Sequence, residues 1–434
     1  MTEQSSEKFV RAVGLWGLVA MTINAVIGSG VFLLPTETFK LLGPFSLWAP
    51  LIFAVPVFIL VLCFAEAASH FTQTGGPYLY VRTAFGDFLG FETGWMNWLA
   101  RVTSLASLSN GFVVSLARLF PALGAGAPRA AVIIGTLVIL GGIHYAGVRY
   151  GAASIYVFTL GKLIPLVGFI VVALIAFRHN PIPGSLVLPD PGTDWNSAAL
   201  FMLFAYAGFE NVAGPAGEYR NPRRDLPAAL LTGILAIALI YVLTQFGAMA
   251  TLGDLSKTDT PIADAAAAIV GTAGAVIVTV GALLSMAGTN SGTVFEGSRM
   301  LYAIFSERRW RFISFIHPRY RTPAVAIIIH VTVALILSLA GGFATMAKLS
   351  AVARLATYLF TCAALPRLRR LGSGWRLPGG LLIPILGVLV SLLIVITLDA
   401  SRLTAAAIAA IVGGILYVAS TPSSASLAPS REPD

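Results

Sequence analysis

Charged side chains are scarce in this chain. Only 11% of its 434 residues are Asp, Glu, Lys or Arg, while 57% are hydrophobic. A soluble domain carries about 25% charge, so this composition places the chain in a membrane. Cysteine is nearly absent: Cys63 and Cys362 both lie in apolar segments, and no disulfide framework is implied. Histidine is equally thin. His70, His144, His179, His317 and His330 stand singly, without metal-ligand spacing and without a His/Asp or Ser/His cluster near an interface. No metal or cofactor is therefore expected, and a polytopic membrane enzyme such as an acyltransferase lacks its constellation. The polar segment 1–11 shows no cleavable signal pattern, so the first apolar run is expected to remain as a span.

Long apolar runs are what the chain has in abundance. Runs of spanning length, about 20 residues, cover 12–34, 42–65, 88–116, 131–146, 152–177, 197–216, 228–250, 263–305, 324–340, 345–365, 381–398 and 403–418. They predict an all-α membrane protein of about twelve transmembrane helices, with one membrane domain over 12–418. A cytoplasmic N-terminus (1–11) precedes it, and a Ser/Pro-rich tail (419–434) follows that reads as disordered. The run 263–305 exceeds one span, and part of it is expected to project into the cytoplasm.

The net charge of +9 falls in the loops between these runs. One set of loops carries Arg82, Arg149, Arg220, Arg223, Arg224, Arg308, Arg309, Arg311, Arg319, Arg321, Arg367, Arg369, Arg370 and Arg376. The opposite set has only Lys40, Arg118, Arg129, Arg178, Lys257, Lys348 and Arg402. The positive-inside rule accounts for this asymmetry without nucleic acid and puts both termini in the cytoplasm.

Two runs are interrupted. In the first, Asn24-Ala25-Val26-Ile27-Gly28-Ser29-Gly30 sets two glycines around a serine at membrane depth, each Gly costing a helix about 1 kcal/mol against Ala. A break frees backbone groups that hydrocarbon cannot satisfy, so it is tolerated only inside protein or along a cavity. Two readings fit. A half-helix starting at Ser29 would aim its amides and positive dipole end at an anionic group such as a carboxylate; alternatively, the small residues serve close helix packing. The second interruption, from Phe204 through Ala205, Ala207 and Gly208 to Glu210 and Pro215, lies five spans later. That placement is what a 5+5 inverted repeat would give, over approximately 12–177 and 197–365, with broken helices 1 and 6, a substrate site between the breaks and two C-terminal helices.

Several ionisable groups fall inside spans. Lys162 has about ten span residues before it, some 15 Å of helix, which is too deep for its side chain to snorkel out. At about 3 kcal/mol for insertion, function or structural bridging is the default reading, and such a group can also load a proton. Arg101 and Arg354 lie in the third and tenth runs, either facing a pocket or paired with carboxylates. Glu66 and Glu218 sit near span ends, where pairing with loop arginines is expected; Glu296 and His330 receive no assignment beyond satisfied interior polar groups.

These stretches together resemble the amino acid–polyamine–organocation (APC) superfamily of transporters, with its LeuT-type fold. The carriers are Ile27-Gly28-Ser29-Gly30-Val31-Phe32, Phe64-Ala65-Glu66, Gly75-Gly76-Pro77-Tyr78, Phe204 to Glu210, Glu218 to Pro227, Ser298 to Ala303 and Tyr320-Arg-Thr-Pro323. The resemblance implies a secondary active amino-acid transporter in a bacterial-type inner membrane, a monomer or homodimer, working by alternating access. By position it places an α-amino acid's carboxylate on the amides of Ser29 and Gly30, and its ammonium on carbonyls of Val26, Phe204 and Ala207. Ile27, Gly28, Ala205 and Gly208 complete the two breaks, and Phe204 falls where relatives put an aromatic gate. Lys162 matches the lysine that occupies the sodium position in sodium-independent relatives. Glu210 matches a glutamate linked to proton dependence in the arginine/agmatine branch. Relatives that carry arginine keep neutral groups where Arg101 stands, so a neutral substrate is expected, with an acidic one as the alternative. An obligate exchanger or exporter is the alternative within transport; a channel or a sensor without turnover is the alternative outside it.

Overall fold

The computed structural model describes residues 14–71, 75–147, 152–177, 182, 184–212, 219–372 and 374–421. The chain there is built from α-helices: α1 (Leu15–Val26), α2 (Gly30–Leu42), α3 (Ala49–Ser69), α4 (Gly76–Phe85), α5 (Asp87–Ala117), α6 (Gly126–Tyr145), α7 (Ala152–Phe177), α8 (Trp195–Tyr206), α9 (Phe209–Val212), α10 (Pro222–Leu252), α11 (Pro261–Val270), α12 (Thr272–Phe305), α13 (Ala324–Ala340), α14 (Phe343–Leu368), α15 (Leu382–Ile396) and α16 (Ala400–Ser420). Every apolar run of the sequence falls on one of these helices or on a pair of them. Among the described residues, eight helical stretches are long and apolar enough to cross a membrane, and Leu15–Val26, Pro261–Val270, Ala324–Ala340 and Leu382–Ile396 are apolar but shorter. The segment 1–11, Arg149, Arg178, His179, Glu218 and the tail beyond 421 lie outside the described residues.

The run 263–305 is not one continuous helix. Gly271, at φ +78°, ends α11 and starts α12, so a separate short helix takes up part of the surplus. The 34 residues of α12 still span about 51 Å, more than the roughly 30 Å of a bilayer core. The predicted tail also begins late, because α16 runs on through Ser420.

Helix α5 is the centre of the assembly, packed against α14, α12, α13, α4 and α16. Apolar burial gives little net drive between helices in lipid, so close packing and hydrogen bonds across helices hold such bundles together. Here Ser350 Oγ donates to the Ala100 carbonyl (2.7 Å), Ser107 Oγ to Phe343 (2.9 Å) and Asn110 Nδ2 to Ser338 (3.1 Å). At the edge, α16 buries only Gly413 and Ser420 and leaves Ile408, Ile411, Ile415 and Val418 exposed, as a helix facing lipid tails does.

Candidate functional site

The two interrupted runs meet at their breaks. Helices α1 and α8 are each 12 residues long and each ends in an extended residue, Ile27 at ψ 97° and Ala207 at ψ 151°. Gly208 follows at φ +120°, and a Cβ built on it would lie 2.4 Å from the Ala25 carbonyl oxygen and 3.2 Å from Val26 Cα. Backbone therefore sits on backbone there, and only glycine permits it. Across the same junction a Cβ on Gly30 would come within 3.1 Å of Ala205 Cα, so the start of α2 presses on the end of α8.

Helix α2 opens at Ser29, where Phe32 and Leu33 bond back to the Ser29 carbonyl (both 3.1 Å). The amides of Ser29, Gly30 and Val31 precede that first bond and have no carbonyl within the helix. Ser29 Oγ is buried and also lacks a partner. A cluster of amides and a hydroxyl at a helix N-terminus suits an anion. The space beside it is small: a Cβ on Gly28 would meet Leu108 Cδ2 at 3.4 Å and Thr289 Cγ2 at 3.5 Å.

The carbonyls released at the breaks divide into two groups. Lys162 Nζ, on α7 and 1% exposed, donates to the carbonyls of Asn24 and Ile27, at 2.7 Å each. Ser285 Oγ on α12 adds contacts to the carbonyls of Ile27 (3.3 Å) and Gly28 (3.1 Å). The Ala205 carbonyl accepts from Tyr241 Oη (2.7 Å), and that of Phe204 from the Ala207 amide (3.2 Å). The Phe204 carbonyl, expected to face an ammonium, thus already accepts one bond, with its second lone pair left. The carbonyls of Val26 and Ala207 meet no donor among the described residues. The Phe204 ring lies edge-on to Phe343 at the start of α14, with centroids 6.2 Å apart.

About 10 Å along α5 and α12 from this pocket (Leu108 to Arg101, Thr289 to Glu296) lies a second layer, of charges. Glu210 accepts from the Gly208 amide (2.9 Å) and from Arg354 Nε (2.8 Å), with Tyr358 Oη at 3.5 Å. Arg354 also donates to Ser350, which bonds the Ala100 carbonyl. On the next residue, Arg101 donates to Glu296 (2.5 Å) and Asn97 (2.8 Å). Arg354 and Arg101 thus both stand in ion pairs; the side chains of Arg354 and Glu210 are 6% and 3% exposed, and Glu296 is open to 33%. Two Glu and two Arg make the layer neutral. It ties α9 to α14 and α5 to α12. Farther along, Glu66 is held by Arg369 in the expected loop pairing, at 2.5 and 2.8 Å. His330 is fully buried, against Gly297 and edge-on to Trp98.

Sequence reasoning missed Tyr241, Ser285, Thr289 and Phe343, and left Glu296 without a partner. Ser285, Thr289 and Glu296 recur at helical spacing within an apolar run, a stripe that periodicity could have exposed. Tyr241 and Phe343 reach the breaks through tertiary packing alone and leave no local signal.

Comparison with known proteins finds similarity along most of the chain. Residues 13–424 match the family described as amino acid permease. The serine/threonine exchanger SteT of Bacillus subtilis strain 168 is 28% identical over 81% of this chain and 81% of its own length. The uncharacterized transporter Rv1979c of Mycobacterium tuberculosis H37Rv is 29% identical over 83% of this chain and 81% of its own.

Proposed function

Since this chain belongs to the amino acid permease family, we propose that it is a secondary active transporter of neutral amino acids, independent of sodium and working by alternating access. The observation that carries the reading is the pair of broken helices packed backbone to backbone at Gly208, with unpartnered amides and Ser29 Oγ on one side and the open carbonyls of Val26 and Ala207 on the other. One end suits a carboxylate and the other an ammonium. A Cβ at Gly28 would already touch Leu108 and Thr289, a tight setting that favours a small substrate side chain. Substrate recognition is assigned to Val26, Ile27, Gly28, Ser29, Gly30, Phe204, Ala205, Ala207 and Gly208. Lys162 and Glu210 are assigned to coupling, and Phe204 over Phe343 to the gate.

The neutral layer formed by Arg101, Glu296, Glu210 and Arg354 supports selection against charged side chains. A cationic substrate arriving there meets two guanidiniums, and an anionic one meets two carboxylates, every one already paired. The Lys162 ammonium, bound to both Asn24 and Ile27 carbonyls, supports sodium independence, because it supplies the positive charge at the end of α1. The proposed topology is the 5+5 repeat over approximately 12–177 and 197–365, with twelve spans and both termini cytoplasmic in a bacterial-type inner membrane.

The test is uptake of a labelled amino-acid panel into proteoliposomes, with and without a pH gradient, at zero and high sodium. Accumulation of a neutral amino acid without sodium is the expected result, and its dependence on the gradient decides proton coupling. The name of the Bacillus relative favours a second reading, obligate exchange, for which flux would appear only with a preloaded lumen. Binding without flux in either arm would leave a sensor, and no binding would sink the substrate assignment.

A further inference from the structure

Cys63 and Cys362 are the only cysteines in the chain, 299 positions apart. The structure brings them together. Cys63 on α3 and Cys362 on α14 are both 0% exposed. Both lie against Gly387 of α15: a Cβ built there would sit 2.7 Å from Cys362 Sγ and 3.1 Å from Cys63 Sγ. Any larger residue at position 387 would occupy the space that the two sulfurs share. Cys63 Sγ has one further contact, the Ile383 carbonyl at 3.7 Å, and no metal-binding group of three or more His, Cys, Asp or Glu exists among the described residues.

We propose that this buried dithiol is an oxidation site, which closes to a disulfide and thereby latches α3 to α14. In the reaction each thiol gives up its proton and one electron, and an S–S bond forms. The co-reactant is a membrane-permeant two-electron oxidant of the azo class, whose N=N bond takes up both electrons and both protons to become a hydrazine. A thiol held beside its partner captures it once either sulfur has been attacked, ahead of any thiol on another molecule. The consequence for transport rests on the alternating-access reading above. There the chain rocks about its two breaks: α3, the second span, packs against α8 and α9 on either side of the second break, while α14 is the tenth, whose Arg354 holds Glu210. A covalent tie between them opposes that relative movement.

The experiment treats protein in proteoliposomes with diamide, then denatures it and counts free thiols by intact mass after maleimide labelling. Two labels are expected before oxidation and none after it, with the protein still monomeric on a non-reducing gel. Uptake is expected to be lost with the labels and to return with dithiothreitol, while Cys63→Ala and Cys362→Ala each keep one label and uptake that diamide does not change. Two labels surviving diamide would overturn the proposal, as would a linkage found only between molecules or full closure with undiminished uptake. The thiol count needs no substrate. A disulfide that forms in protein showing no flux beforehand would therefore support the site and count against the transport reading.

Discussion

Replacing Gly208 by Ala tests whether the two breaks form one mechanical unit. Gly208 sits at φ +120°, and its added Cβ would lie 2.4 Å from the Ala25 oxygen and 2.8 Å from the Ala25 carbonyl carbon. Holding a residue with a side chain in that conformation costs about 1–3 kcal/mol. Ordinary contact begins at 3.4 Å, so the end of α1 must retreat by about 1 Å, an overpacking term of about 1–3 kcal/mol more. The sum, about 2–6 kcal/mol, falls on the segment whose carbonyls bind Lys162. Two assays read it: the thermal midpoint of detergent-solubilised protein and equilibrium binding of a labelled amino acid. Gly43→Ala is the control, because Gly43 has φ +54° but no atom within 4 Å of its Cβ position, leaving only a conformational cost of about 1–3 kcal/mol. Gly208→Ala should lower the midpoint well below the control and remove binding. Equal midpoints and equal affinities in the two variants would refute the argument that backbone contact at Gly208 builds the site.

Lys162→Ala leaves the Asn24 carbonyl without its donor, about 1–3 kcal/mol, and the Ile27 carbonyl with only Ser285 Oγ; transport should fall steeply while membrane insertion, read by a fluorescent C-terminal fusion, is unchanged. Flux at the wild-type rate would remove the lysine from the mechanism. Arg354→Gln strands the buried Glu210 carboxylate and should destabilise by about 3–5 kcal/mol, whereas Arg101→Gln leaves Glu296, 33% exposed, partly solvated and should cost distinctly less. Thermal midpoints ranked in the opposite order would contradict the burial argument. Arg118→Ala, which breaks a pair with Asp264 at 36% and 30% side-chain exposure, should shift the midpoint little, since such pairs contribute about 0–1 kcal/mol. Gly28→Leu fills the space bounded by Leu108 and Thr289 and should abolish binding; retained affinity would place the substrate elsewhere.

Much of the helical architecture was legible because apolar length and glycine interruption are local properties. The break at Gly28-Ser29-Gly30 and the one at Ala207-Gly208 could each be read from residues side by side in the chain, and so could the enclosure of Lys162. Partnerships could not. Arg101 and Arg354 looked like two cations with open choices, and deciding between pocket and ion pair required the 195-residue and 144-residue separations that bring Glu296 and Glu210 to them. The Phe204 carbonyl looked free because helix ends release carbonyls in general, yet the chain folds Ala207 back to it. The turn at Gly271 was invisible because the residues around it are small and apolar, so composition ran on where the helix did not.

The ammonium at the end of α1 is part of the polypeptide. A dissociable ion in that position would come and go with the surrounding medium, and the helix end would be fully formed only in the fraction of molecules that held one. Lys162 is present in every copy at all times, so the proposed sodium independence has its source in the bonds that the lysine makes to the Asn24 and Ile27 carbonyls. The same permanence has a second side. A tethered amine cannot carry a sodium gradient's work into the cycle; what it can give up and take on is a proton, and that is the coupling role proposed for it above.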